Sequence, residues 1–125
     1  MQGCNNAAGR VSIKAGNNKY NLRGDVTVQP STVEREADAN ANGTHYVTVK
    51  AVPAEAEITI SDRMGQSLAE LGDLSCVDVT ITLIDMKRQY LFTEADLVGR
   101  ASLNTGSGEI SGLKVVSSAC REVNL

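Results

Sequence analysis

Apolar and polar side chains alternate one by one through most of this chain, and that period limits the folds it can adopt. The clearest example is segment 77–84, where aliphatic residues at odd positions alternate with Asp78, Thr80 and Thr82. Successive side chains of a β-strand point to opposite faces of the sheet, so the pattern predicts a strand with one dry and one wet face. The abundance of Val, Ile and Thr also favours strands, because branched side chains pack well on a pleated surface.

The same period recurs in seven further segments, which turn-forming residues separate. These segments are 10–14, 19–28, 46–52, 55–60, 89–93, 97–103 and 109–116. The only helical pattern is 67–71, which is rich in helix formers and ends at Gly72. We therefore predict a mainly β protein, an antiparallel β-sandwich or partly open barrel of about eight strands with one short α-helix.

No linker or low-complexity segment divides the 125 residues, which predicts a single domain over 1–125. Residues 1–9 and 118–125 are predicted to be terminal tails. Between them, residues 30–44 form a polar stretch that is longer than an ordinary connection, which predicts an extended loop. Such loops carry contacts or are solvated charge runs, and Glu34, Arg35, Glu36 and Asp38 are its candidate contact residues.

Charge and hydropathy exclude several functions. The formal net charge is -3 and the basic residues are scattered singly, so no cationic stripe is available to bind a phosphate backbone. No apolar run approaches the ~20 residues that a membrane span needs. Segment 1–10 lacks the charged start and apolar stretch of a signal peptide. These observations predict a soluble protein made in a cytoplasm, without membrane binding or sequence-specific nucleic-acid binding.

The residue patterns that signal catalysis are missing, so we predict that the protein is not an enzyme and needs no cofactor or metal. Residues 106–108 read Gly-Ser-Gly but lack the Lys of a phosphate-binding loop, and they indicate a hairpin turn. The single histidine, His45, has no nucleophile in a recognisable setting beside it.

Three cysteines, Cys4, Cys76 and Cys120, form no Cys-x-x-Cys pair, and their odd number leaves at least one thiol without a partner in the chain. A buried, inert thiol is the favoured interpretation of Cys76, which leads into an apolar strand. Cys4 and Cys120 lie near the termini, so they are the better candidates for disulfides between subunits, with Cys76 the third candidate.

A small protein built of sheets has unpaired strand edges, and such edges pair with another chain unless they are bulged, charged or covered. Copies of one chain that complete each other's edges form a ring, with polar strand faces towards an aqueous centre. The sequence therefore favours a self-assembling subunit.

The order of these features resembles the tail tube proteins of contractile, Mu-like bacteriophages. The resemblance is carried by segments 8–13, 22–28, 52–59, 78–83, 88–92 and 108–113. It implies six subunits in a ring, each giving two hairpins to a continuous inner β-barrel, and stacked rings through which DNA passes into the host without specific binding. It also implies sheath and baseplate partners and a place in the virion tail, with assembly in the host cytoplasm. The chain departs from the family in its three cysteines and in a turn at 85–88 that lacks the usual glycine.

Transfer from this family gives the candidate site residues. The hairpin 78–92 is expected to form the inner wall, with Asp78, Thr80 and Thr82 facing the lumen and, as a weaker second set, Tyr46, Thr48 and Lys50. The loop 30–44 is expected to contact the neighbouring ring or subunit. Two alternatives stay open: a type VI secretion-like tube protein, and a small carbohydrate-binding or adhesive β-sandwich, although the latter would be expected to expose more aromatic residues.

Overall fold

The computed structural model describes residues 9–16 and 18–125, which form ten strands and one short helix. The strands are β1 (Val11–Ala15), β2 (Asn18–Tyr20), β3 (Thr27–Gln29), β4 (Val33–Ala39), β5 (His45–Ala51), β6 (Ala54–Ser61), β7 (Val77–Leu83), β8 (Arg88–Asn104), β9 (Glu109–Ser117) and β10 (Ala119–Asn124). The helix is α1 (Leu68–Gly72). All strand pairs are antiparallel and the sheet does not close into a barrel, so the predicted mainly β class is confirmed.

Two sheets enclose the core and share the long strand β8. The first sheet has the order β2-β1-β7-β8-β10, and the second sheet has the order β3-β6-β9-β8. The buried side chains of both sheets form one aliphatic cluster around Phe92, as the near absence of aromatic residues predicts. The alternation that predicted β6 and β7 is confirmed: Ala56, Ile58, Val79 and Ile81 are buried while their neighbours in sequence are not.

The helix and its cap follow the sequence closely. Ser67 is the N-cap, and its hydroxyl accepts a hydrogen bond from the backbone N–H of Glu70. Leu71 is buried and belongs to the core cluster, and α1 packs against β8. The predicted turn before β8 is also present, and Asp85 within it accepts hydrogen bonds from the backbone N–H and guanidinium of Arg10, which lowers the pKa of Asp85.

Register shows that seven of the strands form two long hairpins. In the first hairpin, Val28 lies opposite Ala56, and five residues further on Val33 lies opposite Ala51. The register is therefore unchanged where β3 continues into β4 and where β5 continues into β6. In the second hairpin, β8 runs for 17 residues and pairs first with β10 and then with β9.

The two hairpins share the ladder between β6 and β9, and they diverge where Ala54 lies opposite Ser117. Ser117 is the one buried polar residue among the described residues, and its hydroxyl accepts a hydrogen bond from the N–H of Ala119 and lies within bonding distance of the Thr93 carbonyl. Beyond this point β10 follows β8 into the first sheet, while β4 and β5 leave both sheets.

Three expectations are wrong and share a physical cause. Residues 33–39 form β4 instead of lying in a loop, and residues 119–124 form β10 instead of a tail. Segments 89–93 and 97–103 are parts of one strand, β8. In each case the backbone pairs with another strand, β4 with its neighbour β5 and β10 with the more distant β8, and that pairing overrides a weak local signal. In addition, the predicted strand 19–28 is divided into β2 and β3, which lie in different sheets, so the described residues contain ten strands where about eight were predicted.

Candidate functional site

Strands β4 and β5 project from the body of the protein as a two-stranded arm, residues 33–51. Every residue of both strands is exposed, and within the described residues each strand pairs only with the other. Two-stranded hairpins are marginally stable in water by themselves, and a third strand or a packed face is needed for stability. The arm is therefore the part of the structure that most clearly lacks a partner.

One face of the arm is mostly apolar. Residues directly opposite each other share a face, and the pairs Val33 with Ala51, Arg35 with Val49, Ala37 with Val47 and Ala39 with His45 form this face. The exposed fractions of the valines are large: 46% for Val33, 41% for Val47 and 63% for Val49. Contiguous apolar surface of this kind marks an interaction site in a soluble protein.

The other face of the arm is polar and brings together two predicted sets of residues. Glu34 lies opposite Lys50, Glu36 opposite Thr48, and Asp38 opposite Tyr46. The hydroxyl of Tyr46 is 3.4 Å from a carboxylate oxygen of Asp38. The predicted contact residues Glu34, Glu36 and Asp38 and the predicted lumen residues Tyr46, Thr48 and Lys50 thus share one surface. The fourth predicted contact residue, Arg35, lies on the apolar face instead.

The polarity of the hairpin reverses where the arm begins. In the base of the hairpin, even-numbered residues such as Val28 and Ala56 point towards the core, and odd-numbered residues such as Glu57 point outwards. Because the register is continuous, alternation places the polar face of the arm on the core side of the second sheet and its apolar face on the outward side. A face that is wet in the body is therefore dry in the arm.

The second sheet has an open edge at each end. At one end β3 continues into β4, and at the other end residues 98–104 of β8 pair with β9 alone, because β7 pairs with β8 only as far as Ala95 and the N–H of Leu97 bonds to the carbonyl of Leu74. Unpaired edges of this length are templates for another chain. The edge of the first sheet at β2 is only three residues long.

The predicted wall residues of β7 lie on the outer face of the first sheet. Asp78 is exposed, and its carboxylate accepts a hydrogen bond of 3.1 Å from the backbone N–H of Glu94. Glu94 lies within β8 and has a positive φ. Thr80 and Thr82 are half-buried, and the hydroxyl of Thr82 accepts a hydrogen bond from the side chain of Gln89. None of the three packs in the core, which leaves them available to face a channel.

The cysteines differ from the expectation in one respect. Cys76 is exposed, so the favoured interpretation of a buried thiol is wrong. The backbone N–H of Cys76 donates a hydrogen bond to the carboxylate of Asp96. The pKa of Asp96 is lowered by the hydrogen bond from the Ser75 hydroxyl and, to a smaller extent, by the one from Cys76. Cys120 is half-buried, and burial, followed by the charge of Glu122, raises the pKa of its thiol. Cys4 lies outside the described residues.

Within residues 9–16 and 18–125, no group of three or more His, Cys, Asp or Glu side chains is placed to hold a metal ion. The Gly-Ser-Gly sequence at 106–108 lies in the turn between β8 and β9, as predicted. No described helix is long and apolar enough to cross a membrane. His45 lies at the start of β5, opposite Ala39.

A mainly β subunit with an uncovered arm and open sheet edges has the features of a self-assembling protein, in which identical copies cover each other's unpaired surfaces. The chain matches the family model described as phage tail tube protein over residues 4–122, and it belongs to that family. It is therefore a tail tube structural protein. No curated protein sequence matches it significantly.

Solved structures of tube proteins share the fold at low sequence identity. The tube in the sheath-tube complex of the extracellular contractile injection system PVC matches with a TM-score of 0.66 and 10% identity, over 98% of this chain and 95% of that chain. The tube-terminating cap of the anti-feeding prophage matches with a TM-score of 0.65 and 8% identity, over 100% and 96%. Hcp1 from Flavobacterium johnsoniae matches with a TM-score of 0.56 and 13% identity, over 92% and 98%.

The arm is the feature that sequence reasoning missed. Its signal was present, because residues 33, 37 and 39 are Val, Ala and Ala and alternate with Glu34, Glu36 and Asp38. The charged residues concealed the alternation, since they favour a loop when each residue is considered separately.

Proposed function

We propose that the chain forms hexameric rings, and that the rings stack into the tube of a phage tail and conduct DNA into the host. The observation that carries this proposal is the arm, whose apolar face has no cover within the described part of the subunit. Membership of the tail tube family supports it. We place the protein in the virion tail after assembly in the host cytoplasm, with the sheath and baseplate as further partners and without specific contacts to the DNA.

The open edges of the second sheet suggest how a ring closes. The edge formed by β3 and β4 of one copy would pair with residues 98–104 of β8 in the next copy. Repetition around a rotation axis leaves neither edge open, which removes the tendency of edges to aggregate. Closure through the first sheet is less favourable, because β2 offers only three residues for pairing.

Negative-stain microscopy of the purified chain tests this proposal. We expect sixfold rings or hollow rods, because the arm and the sheet edges then find their partners. A homogeneous monomer at high protein concentration would contradict the proposal and would favour a binding module such as a carbohydrate-binding β-sandwich.

The likeness to Hcp1 supports a type VI secretion-like tube as a second candidate. Both candidates predict rings, so microscopy of the purified chain does not separate them. A gold-labelled antibody against the chain separates the two candidates. If the chain is a phage component, the antibody should bind to the tails of DNA-filled particles. Labelling confined to structures without a phage head would favour the second candidate.

We propose that the outer face of the first sheet borders the channel. This proposal is supported by the position of the arm: its polar face and the first sheet both lie on the core side of the second sheet. The lumen set Asp78, Thr80 and Thr82 and the arm set Tyr46, Thr48 and Lys50 would then border the same aqueous space. Hydroxyls and carboxylates there give no counterion-release attraction to DNA, unlike a basic wall.

Thiol labelling of assembled tubes tests the wall, in a background with Cys4, Cys76 and Cys120 replaced by serine. In Thr80→Cys tubes, we expect reaction with a small maleimide but at least about tenfold slower reaction with a maleimide-bearing protein too large to enter the channel. Glu57→Cys, on the outward face of the second sheet, is the matched control and should react with both reagents. If the large reagent instead reacted with Thr80→Cys and not with Glu57→Cys, the second sheet would border the channel.

We also propose disulfides between subunits through Cys4 or Cys120, with Cys76 as the third candidate. The exposure of Cys76 supports its inclusion, while the raised pKa of Cys120 slows its oxidation because the thiolate is the reactive form. On a denaturing gel without reductant, intact particles should give dimers or larger species that reductant removes. Monomer alone from oxidised particles would refute these disulfides.

A further inference from the structure

We propose that Asn42, at the tip of the arm, is a site of spontaneous deamidation in which the backbone nitrogen of Gly43 attacks the side-chain amide. Asn42 is the only asparagine in the sequence that precedes a glycine. Residues 41–44 are all exposed, so water has access to the reacting groups. The reaction is a property of this one turn and does not require the assembly proposed above.

Hydrogen bonds within the tip polarise the side-chain carbonyl of Asn42. Its oxygen Oδ1 accepts hydrogen bonds from the hydroxyl of Thr44 at 2.7 Å and from the backbone N–H of Thr44 at 3.2 Å. The Thr44 hydroxyl in turn accepts a hydrogen bond from Nδ2 of Asn40 at 2.9 Å, which orients its own proton towards Asn42. Donors placed in this way stabilise the negative charge that develops on a carbonyl oxygen during nucleophilic attack.

Gly43 supplies a nucleophile with little around it. Its nitrogen follows Asn42 directly in the chain, so closure of a succinimide ring needs no encounter between separate molecules. Gly43 has no Cβ to shield the nitrogen, and a Cβ at its position would meet nothing within 4 Å. The Gly43 N–H donates a hydrogen bond of 3.0 Å to the carbonyl of Asn40, and this bond must open before attack. Water replaces it at low cost, because the tip is exposed.

The reaction needs only water as a co-reactant. The bond from the Gly43 nitrogen to Cγ of Asn42 forms, the Cγ–Nδ2 bond breaks, and Nδ2 leaves as ammonia with the proton of the Gly43 nitrogen. Water then opens the succinimide at either carbonyl, which gives aspartate or isoaspartate at position 42. Both products add a negative charge to the tip. Isoaspartate also adds an atom to the main chain inside the turn that the Asn40 N–H closes on the Thr44 carbonyl, so we expect this turn to loosen.

Peptide mapping by mass spectrometry of the wild-type chain, stored in warm neutral buffer, tests the inference. Asn104 is the internal control, because its Oδ1 also accepts hydrogen bonds, from the N–H groups of Gly106 and Ser107, but its next residue is Thr105. Aspartate and isoaspartate should accumulate at least about tenfold faster at position 42 than at position 104. Equal rates would overturn the inference. Aspartate without isoaspartate would also overturn it, since direct hydrolysis forms no ring.

Variants of the tip separate the contributions of Gly43 and Thr44. Gly43→Ala should slow deamidation at least about tenfold by crowding the nucleophile. Thr44→Val should slow it about fivefold, the effect of losing one ordinary hydrogen bond, whereas Thr44→Ser keeps the hydroxyl and should retain the wild-type rate. Circular dichroism should show unchanged strand content in all of them. A Thr44→Val rate equal to or above that of the wild type would refute the part given to the hydroxyl.

Discussion

Replacing both Val47 and Val49 by glutamate should yield a folded monomer that forms neither rings nor tubes. Both side chains lie on the apolar face of the arm and are exposed in the subunit, so the substitutions remove little intramolecular packing. Burying a carboxylate at an interface costs several kcal/mol after relaxation, and the two substitutions recur in every copy. Size-exclusion chromatography with light scattering measures the loss of assembly, and circular dichroism should show unchanged strand content.

The control for this variant is Thr48→Glu with Lys50→Glu, which adds two glutamates on the opposite, polar face of the same strand. That face is expected to stay wet in the assembly, so the control should still form tubes, with at most about a tenfold higher threshold concentration from added like charge. Normal tubes from the Val47 and Val49 variant, or equal failure of both variants, would contradict the role given to the apolar face.

Gly112→Ala should cost about 3 kcal/mol or more, a large part of the stability of about 5–15 kcal/mol that a domain has. Gly112 has φ +85°, and a Cβ atom there would lie 2.3 Å from the carbonyl oxygen of Arg100. A Cβ on Gly99, at φ +96°, would in turn lie 2.2 Å from the carbonyl oxygen of Gly112. Both obstacles are backbone atoms at the irregularity of the β8–β9 ladder between Gly99 and Ser102, so only a backbone shift in this irregularity would relieve the clash.

Gly43→Ala is the matched control for this second prediction. Gly43 has nearly the same φ, +87°, at the tip of the arm, but a Cβ there would meet nothing within 4 Å. Its substitution should cost only the conformational penalty of about 1 kcal/mol. Urea unfolding followed by circular dichroism measures both variants. Equal losses of stability in the two variants would contradict the prediction, because the close approach of β8 and β9 would then add nothing to the cost of a Cβ atom at Gly112.

The parts of the fold that follow from local alternation were predictable. In β6 and β7 one face is aliphatic throughout, so a period of two identifies both the strand and its buried side. The helix was predictable from its composition and from Gly72. By contrast, β10 is defined by a partner far away in sequence, because it pairs with β8 across more than twenty residues. β4 pairs with its neighbour β5, but its charged residues concealed the alternation of Val33, Ala37 and Ala39.

The candidate site was predicted in pieces. The sequence selected Glu34, Glu36 and Asp38 for a loop and Tyr46, Thr48 and Lys50 for a strand, and register places all six on one surface. The apolar surface opposite was not predicted, because it depends on reading residues 33–39 as a strand. The positions of the lumen residues in an assembly stay a prediction.

The unbroken register from the body into the arm restricts how such a subunit can change its length. Inserting or deleting one residue in β4 or β5 would turn every side chain beyond that point to the opposite surface, so the valines would exchange places with the acidic residues. Only matched changes of two residues in both strands preserve the surfaces. Natural variants of this protein should therefore lengthen or shorten at the 40–44 tip, where the chain reverses and no side chain is committed to either surface.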